Sequence, residues 1–128
     1  MKTLFVLGRA IFGGFFLYNG INHMLNREGL AQYAGVKGVP SPELGVIASG
    51  GLLLAGGASI ITGIKPKLGA AALLAFLATV SPTIHDFWNT EDANARQNDM
   101  IHFSKNVALF GAALAFMSLE EPWPASIG

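Results

Sequence analysis

The sequence contains no cysteine, and only 12% of its 128 residues are charged. The first absence removes disulfides, thiolate metal ligands and dithiol redox chemistry from within the chain, and it leaves the redox state of the compartment unreadable. The second is about half of the roughly one-quarter charged share of an ordinary soluble domain. Eight basic and eight acidic residues cancel, so no excess of either sign points to nucleic acid as a partner. No Ser/His/Asp arrangement, H-E-x-x-H pair or phosphate-cradling glycine loop stands out. Without a recognisable catalytic motif, the chain is not expected to be an enzyme on its own.

What is abundant is apolar sequence, 52% of the residues. The few charges sit in short intervals between long, almost uncharged stretches. A water-soluble chain of this size needs more charged surface, and a bilayer removes that need. About twenty helical residues at 1.5 Å each cover a hydrocarbon core of roughly 30 Å. The chain is therefore read as all-α: an integral membrane four-helix up-and-down bundle forming a single transmembrane domain over residues 1–128. The expected spans are 4–25, 42–62, 68–88 and 100–119, with a short interfacial helix over 29–36 and a solvated loop over 89–99. Arg9 interrupts the apolar run after Met1-Lys2-Thr3, and Phe15-Phe16-Leu17-Tyr18-Asn19 is a poor cleavage site. The first segment is accordingly read as a permanent helix, with Arg9 snorkelling to the interface.

Several local expectations follow. Ser41, Pro42 and Glu43 suit the N-cap, first position and positive dipole end of the second span. That span is dense in glycine, alanine and serine, which lets backbones approach, so it should be the most enclosed of the four. Leucine at Gly51 or at Gly56 should then disturb packing more than alanine at Leu53. Pro82 should kink the third span and free the carbonyl of Ala78, leaving Ser81, His85 and Trp88 on one face below it. Trp123 suits an interfacial anchor.

Asn19, Asn22, His23 and Asn26 follow the spacing i, i+3, i+4, i+7 and share one face of the first span. Up-and-down connectivity brings the foot of this span to the same membrane face as the end of the third and the starts of the second and fourth. Asn22, His23, Glu43, His85, Asp86, Trp88, His102, Lys105 and Asn106 are expected to converge there, all three histidines among them. Polar groups at bilayer depth are expensive and mark either function or interhelical glue. Three readings stay open. The cluster could only pin helices together, with Lys105 paired to Asp86 or Glu43. It could line a pocket for a lipophilic molecule with a polar head, such as a quinone or a lipid, where a His/Asp pair relays protons. It could hold a metal on His23, His85 and His102, although three histidines on three helices without a paired motif are a thin basis for one.

Four crossings put both termini on one side, and the short Lys65-Pro66-Lys67 turn favours the cytoplasm for that side.

Leu7-Gly8-Arg9, Phe15-Phe16-Leu17-Tyr18-Asn19-Gly20 and His23 resemble the start of DoxX family membrane proteins. The resemblance continues through Tyr33-Ala34, Gly38-Val39-Pro40-Ser41-Pro42, Gly50-Gly51-Leu52-Leu53-Leu54-Ala55-Gly56-Gly57 and His85-Asp86-Phe87-Trp88. It ends at Phe103-Ser104-Lys105-Asn106-Val107-Ala108-Leu109. The resemblance implies a four-helix protein of a prokaryotic inner membrane. It also implies an accessory subunit of a quinone-linked redox system, since the family takes its name from small subunits linked to thiosulfate:quinone oxidoreductase. Other membrane subunits, or further copies of the chain, are then expected partners. The wider superfamily includes vitamin K epoxide reductase, whose cysteine pair has no counterpart here. The alternative is a structural or assembly subunit, or a carrier of a small lipophile, with no redox role.

Overall fold

A computed structural model describes residues 2–126. In it the chain is helical, with no strand among the described residues. The elements are α1 (Lys2–Leu25), α2 (Arg27–Val36), α3 (Pro42–Thr62), α4 (Pro66–Ile84), a 3-10 turn at Phe87–Asn89, and α5 (Ala93–Met117). Four segments are long and apolar enough to cross a membrane: α1, α3, α4 together with the turn after it, and α5.

Glycines set the register. A Cβ on Gly13 would stand 2.8 Å from the Gly57 carbonyl oxygen, and one on Gly57 would stand 2.7 Å from the Gly13 oxygen. Further along α1, Gly20 meets Leu54, and Met24 meets Gly50. Numbers rise on one helix as they fall on the other, so α1 and α3 are antiparallel and nearly in backbone contact. Gly56 against Leu73 and Gly69 makes the same arrangement between α3 and α4. The bundle then continues from α4 to α5, with α2 laid along α3. Phe16, Leu53, Ile60, Leu73 and Leu77 form its interior.

As expected, α3 is the most enclosed span, with 33% of its apolar window buried against 11% for α5. The enclosure is one-sided. Gly50, Gly56 and Gly57 are buried, but Gly51 is exposed and a Cβ there would meet nothing within 4 Å. The expectation that leucine at Gly51 disturbs packing is therefore corrected, because residue 51 lies on the outer face.

Pro42 and Pro66 both occupy the first turn of their helices, where a missing N–H costs nothing. Ser41 precedes α3 in the left-handed region, φ 47°, and its hydroxyl makes no cap bond, contrary to the N-cap expected of it. The span expected over 68–88 is Pro66–Ile84: Pro82 removes a ladder bond, and the helix closes two residues later with the His85 N–H on the Ser81 carbonyl. Trp88 consequently lies on the 3-10 turn rather than in line with Ser81 and His85. The span expected over 100–119 starts instead at Ala93, where the Asp92 carboxylate accepts from the Ala95 N–H, and ends at Met117. Most of the loop expected over 89–99 is thus the polar first turns of α5, standing clear of the apolar part of the helix.

The opposite end of the bundle is closed by the segment after α5. Arg9 does not snorkel: it is 1% exposed, and its guanidinium donates to the Pro124 carbonyl and, at 2.8 Å, to that of Ala125. Trp123 is 3% exposed rather than an anchor at the lipid surface. Its ring meets Phe5 edge-on at 5.3 Å and lies 5.7 Å from the Arg9 guanidinium carbon.

Candidate functional site

Five of the nine candidate residues come together. His23 of α1, His85 at the end of α4, and His102, Lys105 and Asn106 of α5 line one cavity of about 680 Å³. That volume lies within the roughly 300–1,000 Å³ of small-molecule sites. The walls are apolar, with Phe15, Leu30, Val46, Leu52, Phe76 and Ile84 among them. The polar groups gather where α1 and α4 end, against the middle turns of α5.

His23 Nδ1 is 2.9 Å from the Asn19 carbonyl, which can only accept, so that nitrogen carries the proton. The ring stands edge-on to Phe76, 5.9 Å between centroids. His85 and His102 stack at 4.8 Å with 21° between their planes. His23 is not part of that stack, and among the described residues no group of three His, Cys, Asp or Glu side chains is placed to hold a metal. The three histidines share a cavity without forming a ligand set.

The remaining four candidates lie outside the cavity. Asn22 accepts from the Asn26 amide at 2.6 Å, so the polar stripe of α1 divides, with Asn19 and His23 inward and this pair to the side. Glu43 is exposed in the first turn of α3. Trp88 is 54% exposed and packs on Phe87 and Phe103. Asp86 pairs with Lys37 at 2.7 Å and accepts from Asn89 at 3.2 Å. The expected pairing of Lys105 with Asp86 or Glu43 does not occur, because Lys37, at the end of α2, reaches Asp86 first. The Asp86 hydrogen bond raises the Lys37 pKa above its ordinary value, so the pair stays charged through the neutral range.

Asp99 was not among the sequence candidates. It is 7% exposed, in the second turn of α5. One oxygen lies 3.4 Å from His85 Nδ1, the other accepts from the Thr90 hydroxyl at 3.0 Å, and Lys37 Nζ stands 3.9 Å away. This carboxylate ties α2, the end of α4, the loop after it and α5 into one network. A detectable signal existed: Asp99, His102 and Asn106 are spaced i, i+3, i+7. It is meaningful only if the helix already includes residue 99. Asp99→Ala leaves the His85 imidazole without its carboxylate and the half-buried Thr90 hydroxyl with only the Asp86 carbonyl, at 3.4 Å, and should cost about 1–3 kcal/mol. Thermal unfolding in lipid nanodiscs, with exposed Glu91→Ala as the control, measures this; equal melting temperatures would show the network to be dispensable.

The cavity can accept a ligand whose head takes hydrogen bonds from the His102 imidazole, the Lys105 ammonium and the Asn106 amide and whose body is apolar. Comparison with known proteins gives one family: the DoxX family model matches residues 4–86, from α1 to the Asp86 that pairs with Lys37. No curated protein and no solved structure matches the chain.

Proposed function

The chain belongs to the DoxX family, and from that premise we propose that this membrane protein is an accessory subunit of a quinone-linked redox system. In this reading it holds the head of a quinone in the cavity beneath His23, His85 and His102. One observation carries it: an apolar cavity of about 680 Å³ ends in a layer of side chains able to donate to carbonyl oxygens. Quinone carbonyls are such acceptors, and an isoprenoid tail matches the Phe15, Leu52 and Phe76 walls. The His85–Asp99 contact, beside Thr90 at the rim, offers a path for protons between cavity and water. Electrons come from a partner subunit of the same membrane, which is what makes the role accessory. The membrane is that of a prokaryotic cell, and the end of the bundle that holds Arg9 and Lys65 faces the cytoplasm.

The test is purification in native lipid, followed by extraction and quantification of quinone per chain. About one quinone per chain is expected, falling several-fold in His102→Ala. A quinone content no higher than that of the surrounding lipid would remove the proposal. A second reading has its own support. The network of Lys37, Asp86, Asp99 and His85 joins three helices without any ligand, as a purely structural or assembly subunit would need. Absence of quinone, together with loss of partner subunits from an Asp99→Ala membrane, would favour it.

A further inference from the structure

Two side chains of the cavity have no polar partner among the described residues. Asn106 is 5% exposed and lines the cavity, yet no described residue hydrogen-bonds its amide. The amide faces the cavity, so its partner has to be whatever fills that space, water or a ligand. Lys105, its neighbour, also lines the cavity, and among the described residues no carboxylate lies within 4.0 Å of its ammonium. The nearby acids are taken: Asp86 by Lys37, and Asp99 by His85 and Thr90. What the ammonium has instead is the face of Phe15, 5.3 Å to the ring centroid. Asn19 and His23, by contrast, are occupied by carbonyls within α1.

Resting on the reading of the cavity as a ligand site, we infer that Lys105 and Asn106 bind the head of its occupant, and that this head is an acceptor oxygen, a carbonyl or a carboxylate, on an aliphatic tail. The ammonium can only donate, and the amide offers two donors to one acceptor. An amine head would meet Lys105 with like charge and would find Asp99 already engaged. A head oxygen draws the ammonium off Phe15 and fills the amide with the same atom or its neighbour. The tail has a route into the bilayer, because α1 and α5 make almost no backbone contact with each other although both line the cavity.

The experiment uses the full chain in phosphatidylcholine nanodiscs and two labelled probes of similar tail, a decyl-substituted benzoquinone and decanoate. Binding is measured by equilibrium dialysis against empty discs. At least one probe should bind the unmodified chain saturably. Lys105→Met and Asn106→Leu should each weaken it about tenfold or more, the loss expected for a hydrogen bond to a charged or buried group. Lys105→Gln, which keeps a donor without the charge, should retain the quinone but lose decanoate, and so identifies which oxygen is native. Asn106→Ala repeats the measurement if the leucine variant does not fold. Neither probe saturating, or either position binding as tightly after substitution, overturns the inference. Undiminished quinone binding in both variants would leave the quinone proposal standing and end this one. Decanoate binding alone, lost in both variants, would do the reverse.

Discussion

Trp123→Ala should destabilise the protein by about 3–5 kcal/mol, the range for removing a fully buried large aromatic ring. The ring sits between Phe5 and Phe116 at centroid distances of 5.3 and 5.6 Å and covers one side of the Arg9 guanidinium. Its loss opens a cavity and also admits water to a buried charge that no carboxylate among the described residues neutralises; the charge is met by two backbone carbonyls. Arg9→Met removes that charge along with its donors. Its cost should be the smaller of the two, since apolar replacement of a buried ion is often nearly neutral. Thermal unfolding of both variants in one lipid composition gives the order. Trp123→Ala melting with the unmodified chain would mean that the segment after α5 is not seated on α1.

Gly57→Leu should prevent α1 and α3 from closing. Even the first added carbon would lie 2.7 Å from the Gly13 oxygen and 2.8 Å from the Leu17 nitrogen. Both are backbone atoms, which cannot rotate aside. Gly57→Ala alone should cost about 1–3 kcal/mol through overpacking, and leucine should cost more. Gly51→Leu, only six positions away in sequence but on the outer face, should melt with the unmodified chain. Measured side by side, the two variants report which face of α3 is inside; equal melting of Gly51→Leu and Gly57→Leu would contradict the register described above.

The spans were legible because hydropathy and proline report directly on local structure. Pro42 and Gly63 bracket α3 as expected over 42–62, with Gly63 closing the helix at φ 77°. The start of α5 was not legible from hydropathy, because residues 93–99 are polar. A helix that has left the hydrocarbon has no reason to unwind, and Asp92 caps it. That one misplaced boundary also hid Asp99, the most connected acid of the site. His23, His85, His102, Lys105 and Asn106 could be placed together from connectivity alone, since each lies near an end of an expected span on one side of the bundle. Lys37 could not: its partner Asp86 is 49 residues away, and nothing local in the α2 sequence announces the contact. The burial of Arg9 and Trp123 is likewise a long-range event, invisible to any window of sequence that contains only one of them.

That contact sets an order on biosynthesis. Arg9 leaves the ribosome well before the carbonyls that accept its hydrogen bonds, at residues 124 and 125, which are separated from it by more than a hundred residues of nascent chain. Until they have been translated, the guanidinium must be tolerated by water, headgroups or the insertion machinery, and α1 stands in the membrane without its final cover.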